Sequence, residues 1–166
     1  MKTYSAILIW DLDATLVDSS HRTPNNPDGT LNLAAYIEKH TPDNIAKDTA
    51  LPLLRCFLHL ITQARFYSVV CTARDMMRED YDSLRNFGIA TNQILSRDQA
   101  LKNHYRMHDG EYKRHWMLRY YTLKQFVCLP KFVFDDAAPV LSMARKLPNT
   151  VALNAVALNK KLLQKT

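Results

Sequence analysis

The chain has 166 residues, of which 47% are hydrophobic and 23% charged, a balance typical of a globular protein with a substantial core. This length favours a single domain over the whole of residues 1–166. Because it contains only three glycines, neither a GxxxxGK(S/T) phosphate loop nor a GxGxxG dinucleotide turn can be written, which excludes P-loop kinases and dinucleotide-binding enzymes. The three cysteines lack CxxC spacing, and we therefore expect a reduced protein of the cytoplasm without a zinc cluster, an export signal or a membrane anchor.

Charge is distributed unevenly along the chain. Residues 1–96 have 9 basic and 11 acidic side chains, whereas residues 97–166 have 13 basic and 5 acidic ones. The second part could attract an anionic partner, although a solvated basic surface that only aids solubility explains the same imbalance equally well.

Apolar runs and amphipathic stretches alternate along the sequence. Short apolar runs predict buried strands at 4–10, 66–71 and 131–134, with weaker candidates at 92–95 and 150–153. Stretches with helical spacing lie at 31–40, 51–63, 76–87, 111–127 and 137–147. The tail from 154 is compatible with a short helix or with frayed chain. This order predicts an α/β fold, with a mostly parallel central sheet, helices on both faces, and a small helical insert or lid at 24–64 after the first strand.

Polar side chains follow three of the predicted strands. Asp11 and Asp13 come after the first strand, Thr72 after the second, and Asp135 and Asp136 after the third. The carboxyl ends of parallel strands share one edge of a sheet, and ligands bind beyond that edge. Carboxylates gathered there repel one another unless a cation lies among them, and such hard oxygen ligands suit Mg²⁺.

The segment ILIWDLDATLV, residues 7–17, resembles the first motif of the haloacid dehalogenase (HAD) superfamily, an apolar strand followed by DxDx(T/V). Thr72, Lys113 and the pair Asp135-Asp136 match the second, third and fourth motifs in order. Each residue also has an ordinary structural explanation, as a helix cap or as a charge on a solvated helix face. The ordered combination favours a HAD-type, Rossmann-like three-layer sandwich and a phosphatase.

Within that superfamily the chain is most similar to the 3′-phosphatase domains of phage polynucleotide kinase-phosphatases. That pattern is matched by Arg22, by Arg74, and by Asp109 four residues before Lys113. The chain departs from the pattern at Ala14, where glycine usually follows the second aspartate, and in lacking the kinase domain. If a phage encodes the protein, the resemblance places it in the host cytoplasm.

The resemblance implies a mechanism through an aspartyl-phosphate. Asp11 is the expected nucleophile, and Asp13 is the expected acid and base. The expected Mg²⁺ ligands are Asp11, the carbonyl of Asp13, and Asp135 or Asp136. The residues expected to contact the substrate phosphate are Thr72, Lys113, Arg22 and Arg74, with Asp109 or a neighbouring acidic residue supporting Lys113.

The substrate stays open at this point. The preferred interpretation is removal of a 3′-phosphate from a nucleic-acid end, with a separate kinase or ligase as a possible partner. The alternatives are a nucleotide or small-molecule phosphatase and a non-catalytic nucleic-acid-binding module with the same fold. Tyr112, Trp116 and Tyr120 recur at helical spacing and are predicted to be mostly core, which leaves Arg114, Tyr121 and Lys124 as candidate nucleic-acid contacts.

Overall fold

A five-stranded parallel sheet forms the centre of the protein in a computed structural model, which describes residues 3–28, 30–97 and 107–164. The strand order is β5-β4-β1-β6-β7, so the first strand is central. The strands are β1 Ala6–Trp10, β4 Phe66–Cys71, β5 Gln93–Leu95, β6 Lys131–Asp135 and β7 Thr150–Asn154. A two-stranded antiparallel ribbon, β2 Val17–Asp18 with β3 Thr49–Ala50, lies beyond the end of β1.

The central strand is buried on both faces, which explains its unbroken apolar sequence. Leu8 and Trp10 pack into one core cluster, whereas Ile7 and Ile9 pack into the other. Because successive side chains of a strand point to opposite faces, these two clusters are the two interfaces of a three-layer sandwich. The layers agree with the predicted architecture.

Helices cover both faces of this sheet. Their bounds are α1 Leu33–Lys39, α2 Pro42–Ile45, α3 Leu53–Ile61, α4 Arg78–Asn86, α5 Asp109–Met117, α6 Arg119–Thr122, α7 Ala138–Ala144 and α8 Ala155–Leu163. Of the tail's two predicted conformations, the structure has the helix, α8. Within residues 3–28, 30–97 and 107–164, no helix has the length and apolar character needed to cross a membrane.

The predicted insert divides into two parts that differ in burial. Helix α3, at its end, contributes Leu53, Leu54 and Phe57 to the core and thus belongs to the sandwich itself. Helix α1, near its start, has no buried residue. The stretch that precedes α3 lies outside the two core clusters, although Ile45 in it is buried.

The long helix predicted at 111–127 is broken into α5 and α6, and α6 ends at Thr122. The aromatic residues in it are mainly core, as their spacing predicts: Tyr112 and Tyr120 are fully buried. Tyr120 also donates a hydrogen bond to Gln93 Oε1 at 2.8 Å. Arg114 and Lys124 are exposed, while the hydroxyl of Tyr121 lies 2.6 Å from that of Thr150.

Candidate active site

The ammonium group of Lys113 joins two strand ends. Its Nζ donates to Asp11 Oδ1 at 2.6 Å and to Asp135 Oδ2 at 2.7 Å. All three side chains are buried. The backbone N–H of Asp11 donates to the carbonyl of Phe134 at 2.8 Å, which holds the ends of β1 and β6 side by side. The pairing of these two strands thus brings together residues that are far apart in the sequence.

A third carboxylate completes an acidic cluster at this edge. Asp11, Asp135 and Asp136 each present an oxygen, and the three oxygens lie within 4.8 Å of one another. Burial, and then the charge of Asp135, raise the pKa of Asp136. Burial also raises the pKa of Asp11, against the opposing effect of Lys113. The cluster therefore contains more negative charge than its one ammonium group compensates.

The charge of Lys113 is secured by the same arrangement. Burial alone would lower its pKa, but the negative charges of Asp11 and Asp135 raise it well above the ordinary value of a lysine. The side chain is therefore a fixed positive charge beside the expected nucleophile. The alternative of a solvated helix charge does not describe Lys113, since the residue is 5% exposed.

Asp13 faces a different set of partners from those of Asp11. Its two oxygens accept hydrogen bonds from Nε and Nη2 of Arg74, with Nε 3.1 Å away, and one of them also accepts from the hydroxyl of Ser19. Burial would raise the pKa of Asp13, but the charge and hydrogen bonds of Arg74 lower it to about 2. The side chain is 32% exposed, so this ion pair lies at the mouth of the site.

Ala14, directly after Asp13, lies in the turn that follows β1. Ala14 has a φ of +54°, in the left-handed region that glycine adopts without steric cost. Its N–H donates to the carbonyl of Val17 at 2.9 Å, and the N–H groups of Leu16 and Val17 converge on the carbonyl of Leu12. The unusual alanine therefore keeps the glycine-type turn.

Thr72 lies at the end of β4, where its sequence position predicts. Its N–H donates to the carbonyl of Leu95 at 2.9 Å, and its hydroxyl oxygen accepts from the N–H of Arg74 at 3.1 Å. The second motif thus forms a tight turn that directs Arg74 toward Asp13. This turn contact resembles the capping alternative, and no residue in the described part of the chain accepts a hydrogen bond from the hydroxyl.

Arg22, which is expected at the substrate phosphate, lies beside two carboxylates. The side chain is fully buried and forms a two-pronged ion pair with Asp48, Nε to Oδ1 at 2.8 Å and Nη2 to Oδ2 at 2.7 Å. Nη2 also contacts Asp80 at 3.2 Å. A buried guanidinium requires carboxylate partners, and Asp48 supplies them from the start of β3. Arg22 is therefore linked to Arg74 through their shared partners Asp48 and Asp80.

Asp80 links the two arginines. Its Oδ1 accepts from Arg74 Nη1 at 2.6 Å as well as from Arg22, and its Oδ2 accepts from His40 Nε2 at 2.8 Å and from the N–H of Met77 at 2.9 Å. The sequence gives only a weak signal for it, because an aspartate in the first turn of a helix is usually a cap. Asp48, Asp80 and His40 are the site residues that the sequence analysis missed.

Asp109 differs from its expected role. It is 60% exposed and pairs with Arg97 at 2.8 Å rather than with Lys113. The support expected for Lys113 comes instead from the two strand-end carboxylates. Asp109 is at the exposed start of α5, whereas the ammonium group of Lys113 is buried at the edge of the sheet. The two side chains therefore do not pair.

Sequence comparison identifies the chain's family. Residues 1–165 match the Bacteriophage T5 5′-deoxynucleotidase family, and the chain belongs to it. A 5′-deoxynucleotidase of Escherichia phage T5 is 32% identical over 159 residues, covering 84% of this chain and 63% of that protein. The chain thus spans less than two thirds of the length of this relative.

Solved structures show the same fold at low sequence identity. In the Pnkp1/Rnl/Hen1 complex, 47% of one chain matches 93% of this one with a TM-score of 0.61 at 16% identity. A hydrolase of Streptococcus pneumoniae matches 98% of this chain over 99% of its own, with a TM-score of 0.56 at 14% identity. A HAD-superfamily hydrolase of subfamily IA from Geobacter sulfurreducens matches 94% over 98%, with a TM-score of 0.55 at 13% identity.

These findings confirm the predicted fold class and the resemblance to HAD-type phosphatases. The chain therefore belongs to the Bacteriophage T5 5′-deoxynucleotidase family and has the fold of HAD-superfamily hydrolases.

Proposed function

We propose that the protein hydrolyses deoxynucleoside 5′-monophosphates to deoxynucleosides and phosphate. The contact of Lys113 with both Asp11 and Asp135 carries the phosphatase assignment, because it sets a fixed cation beside a buried carboxylate at the sheet edge. The choice of nucleotide is supported by family membership and by the 5′-deoxynucleotidase of phage T5. The proposed substrate is therefore a deoxynucleotide, in place of the 3′-phosphorylated nucleic-acid end that was preferred from the sequence.

Asp11 is the proposed nucleophile. One carboxylate oxygen attacks phosphorus in line with the ester oxygen, the bond from phosphorus to that oxygen breaks, and an aspartyl-phosphate forms. Water then hydrolyses the intermediate and regenerates Asp11. Lys113 offsets the charge of the transferring phosphoryl group, and the hydroxyl of Thr72 can donate to one of its oxygens.

Asp13 is proposed to serve the leaving group. It follows Asp11 by two residues and reaches the mouth of the site, where it pairs with Arg74. A phosphate oxygen competes with Asp13 for the planar fork of Arg74. When Arg74 turns toward the phosphate, the main cause of the lowered pKa of Asp13 is removed. Asp13 can then take up a proton, give it to the ester oxygen as the bond to phosphorus breaks, and accept a proton from the water that attacks the aspartyl-phosphate.

The acidic cluster fits Mg²⁺ as the proposed cofactor. Its three carboxylates are hard oxygen donors that lie close enough to share one ion, and they contain uncompensated negative charge. Asp11, Asp135 and Asp136 would hold the ion together with the carbonyl of Asp13. A bound Mg²⁺ would supply positive charge that reduces repulsion between the nucleophile and the phosphate dianion.

Removal of 3′-phosphates from nucleic-acid ends is the second candidate. It is favoured by the basic residues that predominate after position 96, among which Arg114 and Lys124 are exposed. Only this activity would call for a kinase or ligase partner that processes the repaired end. A non-catalytic binding module is the remaining alternative.

A substrate panel distinguishes these functions. The purified chain is incubated with deoxynucleoside 5′-monophosphates, 3′-monophosphates, ribonucleotides and a 3′-phosphorylated oligonucleotide, with and without Mg²⁺, and phosphate release is measured. We expect the largest kcat/KM for the deoxynucleoside 5′-monophosphates, and a preference for the oligonucleotide would instead support the second candidate. Asp11→Asn should lower kcat by about 10³-fold or more, whereas Asp43→Asn, at an exposed position, should not.

A wild-type protein that binds the oligonucleotide and releases no phosphate from any substrate would contradict the proposal. That result would favour the binding module. Retained activity in Asp11→Asn would contradict the assignment of the nucleophile, even if the substrate proved correct.

A further inference from the structure

Helix α1, outside the core, places one unsatisfied polar group next to the ion pair at the mouth of the site. The hydroxyl of Tyr36 is buried and has no hydrogen-bond partner among the residues that the structure describes. The ring of Tyr36 packs against that of His40, with 5.1 Å between centroids. His40 in turn contacts Asp80, which contacts Arg74. Tyr36 thus borders the network that holds Arg74 on Asp13.

A buried hydroxyl without a partner is costly and uncommon in folded proteins, since it has given up water without a replacement. Burial, together with the nearby negative charge of Asp13, raises the pKa of Tyr36 to about 12. The hydroxyl therefore keeps its proton at neutral pH and is available as a donor. A ligand oxygen would satisfy it.

Helix α1 lies at the periphery of the protein. None of its residues is fully buried, and Leu33 and Ile37 on its outer side are 61% and 65% exposed. Tyr36, together with His40 directly after the helix, makes its contact with the site, and we expect α1 to shift when a ligand reaches the Tyr36 hydroxyl. This is the property expected of a segment that covers a substrate.

The chemistry of the site indicates which part of the substrate lies there. Asp13 serves the oxygen that leaves phosphorus, so the alcohol part of the ester lies on the side of Asp13 and Arg74. In a deoxynucleoside 5′-monophosphate that alcohol is the deoxyribose, whose one free hydroxyl is at the 3′ position. Tyr36, which is linked to Asp13 through His40, Asp80 and Arg74, is therefore on the side of the site where the sugar is expected.

We propose that Tyr36 is a specificity residue whose hydroxyl donates a hydrogen bond to the 3′-hydroxyl of the deoxyribose. This inference rests on the proposed nucleotidase function and extends it. A site that is built to bond a substrate hydroxyl discriminates against an analogue without it, because the buried partner is then left unpaired.

The test compares three esters in wild type and in Tyr36→Phe. They are thymidine 5′-monophosphate, its 3′-deoxy analogue and p-nitrophenyl phosphate, which has no sugar. In wild type we expect kcat/KM to be about tenfold higher for thymidine monophosphate than for the analogue. In Tyr36→Phe we expect that ratio to fall to about one, with the change mainly in KM.

The matched control is Tyr120→Phe. Tyr120 lies in the other core cluster and its hydroxyl donates to Gln93, so loss of that bond should lower stability without changing the ratio. An unchanged ratio in Tyr36→Phe overturns the inference. A uniform loss on all three esters also overturns it, because that result would place the hydroxyl at the phosphate or give it a structural role.

The two proposals fail in different ways. If wild type hydrolyses p-nitrophenyl phosphate and neither nucleotide, the nucleotidase function fails, and the inference about Tyr36 fails with it. If wild type hydrolyses both nucleotides and the variant keeps the wild-type ratio, only the inference about Tyr36 fails.

Discussion

Nζ of Lys113 lies 2.6 Å from Oδ1 of Asp11, a residue 102 positions away in the sequence. The same nitrogen contacts Asp135, which is 22 positions away. One ammonium group from α5 is thus shared by carboxylates at the ends of two adjacent strands, β1 and β6. In the proposed mechanism, this ammonium group neutralises the transferring phosphoryl group next to the nucleophile.

Replacing Lys113 should impair chemistry more than substrate binding. In Lys113→Met the charge beside Asp11 is lost while the length of the side chain is kept, and we expect kcat to fall by about 10²- to 10³-fold. Lys146→Met removes the same charge at an exposed position and should leave kcat unchanged. Steady-state kinetics and a circular dichroism spectrum of each variant test this, and a folded Lys113→Met protein with wild-type kcat would contradict it.

Mg²⁺ should stabilise the folded protein through the acidic cluster. An ion that binds only the folded state stabilises it by mass action, by about 2.7 kcal/mol at a hundredfold excess over Kd. For a chain of this size we expect Tm to rise by about 5–10 °C. Differential scanning calorimetry with Mg²⁺ and with a chelator measures the shift.

Asp136→Asn removes one proposed ligand and should reduce that shift. Asp43→Asn, which changes an exposed carboxylate outside the cluster, should retain it. Equal shifts in the two variants would mean that Mg²⁺ acts elsewhere on the protein.

The network of Asp80 should make stability depend on pH. Burial would raise the pKa of Asp80, but the hydrogen bond with His40 and the charge of Arg74 lower it below the ordinary 3.8. A carboxylate with a depressed pKa stabilises the fold above its unfolded pKa, and this contribution is lost as the pH falls through the folded value. Arg22, Arg74, His40 and Asp48 are the charged or titratable groups around it.

We therefore expect Asp80→Asn to lower the free energy of unfolding by about 3 kcal/mol at pH 7. This difference should shrink below about pH 4, where the wild-type carboxyl becomes protonated as well. Asp82→Asn on the same helix changes an exposed ion pair and should have little effect at either pH. Urea unfolding at a series of pH values measures this, and a constant difference down to pH 3 would argue against it.

The turn at Ala14, directly after Asp13, contains strain that a single substitution can relieve. An alanine in the left-handed region costs about 1–2 kcal/mol, and glycine returns about 0.5–1 kcal/mol of that through its greater freedom in the unfolded state. Ala14→Gly should thus raise the free energy of unfolding by about 0.5–1 kcal/mol. Asn149, with a φ of +51°, provides the comparison, because asparagine tolerates this region and Asn149→Gly should gain less. Destabilisation in Ala14→Gly would show that the methyl group makes a packing contribution that exceeds its strain.

The amino-acid sequence by itself determined the fold class and the residues of the acidic edge. Unbroken apolar runs that end in Asp11, Thr72 and Asp135 are local signals, since a strand buried on both faces must be apolar and its end must turn. Parallel pairing of the strands then places those ends at one edge of the sheet, independently of the structure of the segments that connect them. The sequence could not indicate where the long helix after position 110 breaks, because no glycine or proline marks the break at Leu118.

Only the tertiary structure decided which charged groups pair. Arg22 and Arg74 were expected at the phosphate, and Asp109 was expected to support Lys113. In the structure Arg22 binds Asp48, Arg74 binds Asp13 and Asp80, and Asp109 binds Arg97. The attraction between charged side chains depends on their distance and burial. No repeating pattern in the sequence encodes these two quantities for a given pair of residues. For the same reason the neighbours of Tyr36 could not be predicted. The sequence of an amphipathic helix does not indicate which groups a tyrosine hydroxyl in it will contact.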